Sequence, residues 1–164
     1  MKLTTETLKL QETTLRNHVL QLHQTAQNSK SPQVQQQAAY AYVLYSKFFF
    51  DSPHALEMAF FQAELLFDMN QFENASKLYS YVIEKSTPKT TYYEKAVINN
   101  LLALESQLPS SEDIDKKRGK SLQPIPFDPA VDRFEKGALI YLKAYPKGDK
   151  VANLERRLGY FYYS

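Results

Sequence analysis

The sequence contains no cysteine. A chain without cysteine has no disulfides, no thiolate ligands for a metal and no cysteine nucleophile. Glycine is also scarce, with 4 residues, and the 8 prolines are too few for a low-complexity or collagen-like chain. By contrast, 43% of the residues are hydrophobic and 13% are Tyr or Phe. The 164 residues therefore suffice for one domain with a real core, or for one array of small units.

The sequence also lacks a strong excess of charge and a long apolar run. A net charge of +2, with no Lys/Arg stripe along any predicted helix, argues against a nucleic-acid partner. The first residues, "MKLTTETLKLQETTLRNHV", lack an apolar run of signal-peptide length. No stretch approaches the roughly 18 apolar residues of a membrane span. We expect no direct membrane insertion, and this composition suits the cytosol and the periplasm equally.

Apolar spacing predicts a chain made of helices, because residues recur at intervals of three and four and no clean alternation is present. Asn70 is expected to take the left-handed conformation after the third helix. Thr90 or Thr91 is a plausible cap of the fifth helix. The polar, proline-containing stretch 109–129 predicts a long exposed loop. The predicted helices cover residues 4–28, 33–50, 54–69, 72–86, 89–108, 130–145 and 150–163.

Groups that carry chemistry are few. His18 and His23 are five residues apart, which does not give metal-binding spacing on a helix, and His54 stands at a predicted helix start. All three histidines are expected at the surface. No nucleophile elbow, phosphate-binding loop or zinc-protease motif occurs. We therefore predict no catalytic residue, no cofactor-binding residue, no cofactor and no metal site. An enzyme using carboxylates and tyrosines would need a closed pocket in which they converge.

An internal repeat is visible in the ends of the predicted helices. "FFFDSP" ends at Pro53 and "IEKSTP" ends at Pro88, 35 residues later. A period near 34 with two helices in each unit resembles the tetratricopeptide repeat. The helix over 130–145 departs from this family pattern, with Phe134, Ala138 and Tyr141. The residues that match it are Ala75, Tyr79 and Val82; Ala41, Tyr45 and Phe48; Phe72; and Leu158, Gly159 and Tyr162.

The resemblance implies an all-α, right-handed α-solenoid of about three helical hairpins plus a further terminal helix. Residues 1–164 then form one domain with approximate repeats 4–53, 54–88 and 89–146 and a partial repeat 147–164. The end "LGYFYYS" lacks the polar cap of a terminal repeat, so we expect a fragment of a longer array. "ASKLYSYVIEKSTPKTTYYEKA" resembles bacterial envelope proteins of this family, linked to the Tol-Pal system and outer-membrane assembly. That likeness implies the periplasm or cell envelope, with the cytosol still open.

The resemblance also implies a groove lined by the first helix of each repeat, which receives a peptide or a helix. Glu57, Glu64 and Asp68 share one helix face and form an acidic stripe flanked by apolar residues. Such a stripe suits a basic or mixed amphipathic peptide. The alternative is that it is only the polar face of an amphipathic helix. The residues assigned to the groove are Glu57, Phe60, Glu64, Phe67, Asp68, Glu94, Val97, Leu101, Leu104 and Glu105.

The expected function is a non-enzymatic scaffold or adaptor that binds another protein or peptide. Aromatic residues at helical spacing are usually inter-helix packing. However, the pairs and runs at Tyr92–Tyr93 and Phe48–Phe50 cannot all face inward, and an exposed patch there would mark a partner site. The alternative function is self-assembly, in which exposed aromatic residues of the uncapped C-terminal helix form a homodimer.

Overall fold

The computed structural model describes residues 4–110 and 128–163, the last four of these as backbone. Over these residues the chain forms seven α-helices and no strand, which confirms the predicted all-α class. The predicted helices are all found, with ends that differ by a few residues. Most of the predicted loop lies outside the described residues. The helices are α1 (Thr5–Ser29), α2 (Pro32–Phe48), α3 (Ala55–Asp68), α4 (Phe72–Lys85), α5 (Tyr93–Glu105), α6 (Pro129–Ala144) and α7 (Val151–Tyr163).

Local sequence explains several helix ends. The side chain of Thr4 caps α1 by accepting a hydrogen bond from the backbone N–H of Thr7 at 3.3 Å. Asp128 caps α6 in the same way, through the N–H of Ala130 at 2.9 Å. Both α2 and α6 begin with a proline, which needs no hydrogen-bond partner for its nitrogen. Asn70 has a φ of 57°, so the predicted left-handed residue between α3 and α4 is confirmed.

The predicted cap of α5 is wrong. This helix begins at Tyr93 rather than at residue 89, and its N-cap residue is Tyr92, which makes no side-chain cap bond. Thr90 instead serves the preceding turn, where its Oγ1 accepts a hydrogen bond from the N–H of Thr87 at 3.1 Å. The turn therefore uses the hydroxyl that the helix start was expected to use.

Packing follows chain order. Each helix packs mainly against the helix before it and the helix after it, and α1 also contacts α3. The core is accordingly divided into three hydrophobic clusters. The first joins α1, α2 and α3, the second joins α3, α4 and α5, and the third joins α5, α6 and α7. Helices α3 and α5 each contribute to two clusters, so they link one hairpin to the next.

Small residues allow the close approach of helices within these clusters. Ala75, Tyr79 and Val82 of α4 are fully buried, as the repeat pattern predicts. In α2 the pattern holds for Ala41 and Tyr45 but not for Phe48, which is 62% exposed. Phe48, the third residue of the pattern in α2, therefore lies at the surface and does not pack between helices.

In α6 the small residue is Gly137, followed by Tyr141 four positions later. A Cβ atom placed on Gly137 would lie 2.5 Å from Cδ1 of Leu104, so α5 and α6 approach closely at this point. The spacing from Gly137 to Tyr141 equals that from Ala75 to Tyr79. The small-residue and tyrosine pair of this helix is therefore Gly137 and Tyr141, whereas the sequence pattern was compared with Phe134, Ala138 and Tyr141.

Candidate functional site

The residues predicted for the groove divide into a buried apolar set and a more accessible acidic set. Phe60, Val97 and Leu101 are each 2% exposed and belong to the core clusters. Leu104 is 5% exposed and lies in the third cluster. Phe67 is half-buried against Phe72, with the two ring centroids 5.2 Å apart. The apolar anchors expected in the groove are thus mostly packing residues, and the carboxylates carry its surface character.

Glu57, near the start of α3, is held by two groups. It accepts a hydrogen bond from the hydroxyl of Tyr92 at 2.6 Å, and its other oxygen lies 3.3 Å from Nδ1 of His54. The hydrogen bond to Glu57, together with burial, raises the pKa of Tyr92 to about 12. Tyr92 also stacks on Phe60 with ring centroids 4.9 Å apart. The Glu57 carboxylate is therefore oriented by Tyr92, the residue that immediately precedes α5.

Glu64, two turns further along α3, is held in a similar way. It accepts hydrogen bonds from the hydroxyl of Tyr79 on α4 and from Nδ2 of Asn99 on α5, the latter at 2.7 Å. Burial and the bond to Glu64 both raise the pKa of Tyr79. Tyr92 follows Glu57, and Asn99 follows Glu64, by the same 35 residues. The two bonds thus join equivalent positions of α3 and the segment that contains α5.

The hydroxyl and amide groups that donate to Glu57 and Glu64 are uncharged and so do not offset these carboxylates. His54, 3.3 Å from Glu57, is the contact here that can carry positive charge. Helix α3 contains no Lys or Arg. Within the described residues, Glu64, Asp68 and Glu94 make no ion pair, and Asp68 and Glu94 are exposed. Glu105 differs, because it pairs with Arg157 of α7. The surface of α3 and α5 therefore carries oriented negative charge that few cations offset.

His23 was predicted at the surface, and this prediction is wrong. The residue is 6% exposed and lies among α1, α2 and α3, with Nδ1 2.7 Å from the hydroxyl of Tyr42. Its ring meets the edges of Tyr42 and Phe61. Nε2 is buried and has no hydrogen-bond partner in the part of the chain that the structure describes. Burial lowers the pKa of His23, although the charges of Asp68 and Glu64 oppose this shift.

A signal in the sequence could have placed His23 in the core. Val19, His23 and Ala26 are spaced by four and three residues, which puts them on one helix face. Val19 and Ala26 are both fully buried. The two other histidines fit the prediction better, because His18 is exposed and the His54 side chain is 42% exposed.

Glu12 is a buried carboxylate that was not among the predicted site residues. It is 8% exposed and accepts hydrogen bonds from Tyr45 at 2.5 Å, Arg16 at 3.0 Å and Ser52 at 3.2 Å. Burial opposes its charge, but the bonds from Tyr45 and Arg16 outweigh burial and lower the pKa of Glu12. Burial and Glu12 raise the pKa of Tyr45 to about 12. The Glu12 carboxylate thus joins α1 to α2 and is not free to bind a ligand.

The even-numbered helices present a different surface. Two adjoining depressions of about 510 and 230 Å³ lie between α2 and α4, with α3 beneath them. Another of about 390 Å³ lies between α4 and α6, above α5. Tyr40, Phe48 and Phe50 are more than 60% exposed. The predicted exposure of some aromatics at Phe48–Phe50 is therefore seen, whereas Tyr92 and Tyr93 are partly buried.

In residues 4–110 and 128–163, no three His, Asp or Glu side chains form a group that could hold a metal ion. Across the same ranges, no helix has the length and apolar character needed to cross a membrane. The side chains of 160–163, on which the predicted homodimer depends, lie outside the description. Comparison of the chain with protein-family models, curated proteins and solved structures finds no match.

Proposed function

We propose that this chain is a non-enzymatic scaffold that binds a basic segment of another protein on the surface of α3 and α5. The proposal rests on how the carboxylates of that surface are bonded and exposed. Glu57 and Glu64 are oriented mainly by neutral donors, and Asp68 and Glu94 are exposed and make no ion pair within residues 4–110 and 128–163. Carboxylates that are already held in place attract Lys and Arg side chains. Little side-chain entropy is then lost when such a partner binds.

We also propose that the fold is a right-handed α-solenoid of tetratricopeptide-like hairpins. Three features support this proposal. The core is divided among consecutive helices, the small-residue and tyrosine pairs recur, and side-chain bonds link positions 35 residues apart. Arrays of this kind bury apolar surface against neighbouring repeats and leave extended faces for partners.

The same contacts predict how such a partner would bind. Phe60, Val97 and Leu101 are buried, so a partner would gain little apolar contact on this surface beyond Phe67. Binding would therefore depend on charge and weaken as salt is added. The likeness to envelope proteins of the family supports a role in cell-envelope assembly, which rests on that likeness alone.

Asp68→Lys combined with Glu94→Lys tests the acidic surface. Both residues are exposed and make no hydrogen bond to another described residue, so their reversal should leave the fold intact. Glu57 and Glu64 are not mutated, because their loss would leave the Tyr92 hydroxyl and the Asn99 amide without their acceptors. The matched control is Glu84→Lys with Asp132→Lys, which makes the same charge change on α4 and α6. Those two side chains are 75% and 53% exposed and form only surface ion pairs.

Peptides would be selected from a phage-displayed random library on the parent protein and then measured by titration calorimetry. We expect a class rich in Lys and Arg whose affinity falls at least about tenfold in the α3 and α5 variant. The control variant should bind that class like the parent. If no selected peptide depends on Asp68 and Glu94, the acidic surface is not the binding site.

A further inference from the structure

We propose a second binding site, in the groove between α2 and α4, for an extended and uncharged peptide segment with apolar side chains. It is formed by the even-numbered helices above α3 and does not use the carboxylates of the acidic surface. The two sites therefore stand on different observations, and either can exist without the other.

The groove is open and partly apolar. Tyr40 and Val43, on the α2 wall of the larger depression, are 65% and 53% exposed. Leu78 of α4 lines both depressions and so connects them. In the smaller depression, Phe50 is 73% exposed and Tyr81 is 42% exposed. Large apolar side chains that flank neighbouring depressions are typical of a surface that a partner covers.

The lining of the groove is almost free of charge. Among the described residues that line the larger depression, Lys77 is the only charged one, and those of the smaller depression include none. Lys77 already pairs with Glu73 at 2.9 Å. In the chain as a whole, 23% of residues are charged. A charged segment would lose water in this groove without gaining an opposite charge, so the electrostatic complement of the groove is an uncharged segment.

Four residues that line the larger depression carry amide side chains, which favours an extended occupant: Gln36, Gln62, Gln71 and Asn74. Gln36 and Gln62 make no hydrogen bond among the described residues, and Asn74 donates to Gln71 at 3.3 Å. An amide side chain both donates and accepts, as does the backbone of an extended peptide. A helical partner satisfies its own backbone groups and would leave these amides unpaired. Alternate side chains of an extended segment would then face the apolar walls.

Tyr40→Ser with Val43→Ser is the variant that tests this groove. Both residues are more than half exposed, so the changes should not disturb the core. Leu139→Ser is the matched control, because Leu139 is 51% exposed on α6 and lies outside the lining of the groove. Circular dichroism would show that all three proteins are equally helical.

The same phage-displayed library serves as the probe. On the parent we expect a class of peptides with apolar residues at alternate positions and almost no charged residues. Their affinity should fall at least about tenfold in the α2 variant, and should be unchanged in Leu139→Ser and in the Asp68→Lys, Glu94→Lys variant. N-methylation of the peptide backbone should also weaken binding, because it removes the donors that the amides accept.

Four results would overturn the proposal. The first is failure to enrich any uncharged class, and the second is binding of that class to the Tyr40→Ser, Val43→Ser variant at parental affinity. The third is binding of N-methylated peptides with the affinity of the unmodified ones, which would mean that the groove makes no hydrogen bonds to the peptide backbone. The fourth is a parent protein that dimerises in light scattering and becomes monomeric on Tyr40→Ser, Val43→Ser. That result would make a second copy the occupant.

Discussion

Most buried polar side chains lie on the odd-numbered helices α1, α3 and α5, whereas most exposed large apolar side chains lie on the even-numbered helices α2, α4 and α6. The exceptions among the described helical residues are Ser76 of α4, which is buried, and Leu8 and Leu10 of α1, which are exposed. On the first set, Glu12 and His23 are buried and Glu64 is hydrogen-bonded by two neighbouring helices. On the second set, Tyr40 and Ile140 face solvent beside open grooves. Both faces therefore depart from the simple division of an amphipathic helix into an apolar buried side and a polar exposed side.

This difference shows why charge in a sequence is an incomplete guide to a surface. A carboxylate on a helix can be a binding group, as Asp68 is proposed to be, or a bond between helices, as Glu12 is. The grooves arise from pairs of helices that are not consecutive in the chain. No local pattern in the sequence encodes them.

The largest expected effect separates two carboxylates of α3. Glu64→Ala should lower the free energy of unfolding by about 2 kcal/mol, because the hydroxyl of Tyr79 and the amide of Asn99 lose their acceptor. Asp68→Ala, at an exposed site without such bonds, should change it by less than about 0.5 kcal/mol. Urea denaturation would measure both. Equal losses of free energy in the two variants would show that the hydrogen bonds to Glu64 do not stabilise the fold. That result would contradict the difference drawn above between a carboxylate that joins helices and one that is exposed.

A smaller effect should appear as pH dependence from His23. Its pKa is lowered in the folded state, so the fold favours the neutral ring. This stabilisation is complete above the ordinary value of 6.5 and is lost as pH falls from there toward the folded pKa. Urea midpoints should therefore decrease between pH of about 7 and about 5, and His23→Gln should flatten that slope. A slope that stays the same in His23→Gln would contradict this assignment.

The smallest expected effect concerns the even-numbered helices. Tyr40→Ser and Val43→Ser each remove a large apolar side chain, yet each should change the free energy of unfolding by no more than about 0.5 kcal/mol. The reason is that both side chains are mostly exposed in the folded state and so contribute little burial. Thermal or urea denaturation checks this. A loss near that of Glu64→Ala would show that these side chains support the fold rather than a surface.

The helices and much of the core could be predicted from the sequence. The likeness to the repeat family placed Ala75, Tyr79 and Val82 at helix-packing positions, and all three are buried. Helix ends were less predictable, because Thr90 can serve a turn or a cap with the same hydroxyl. Gly137 was missed because its close neighbour, Leu104, lies on another helix, α5, 33 residues earlier in the chain.

The candidate site was less predictable than the fold. Matching a repeat pattern identifies the helix face but not the burial of each side chain on it. Phe60 and Leu101 were assigned to the groove because they lie near that face, and packing with α4 and α6 covers them. Tyr92 was recognised only as an aromatic residue, and its bond to Glu57 requires the position of α5 beside α3.

The two bonds that span 35 residues, from Tyr92 to Glu57 and from Asn99 to Glu64, bear on how the chain would respond to mechanical tension. They connect α3 directly to the segment containing α5, and α4 packs against both helices. A pulling force could not extract α4 without also breaking both bonds. Residues 55–105 should consequently yield as one cooperative block under load, rather than hairpin by hairpin.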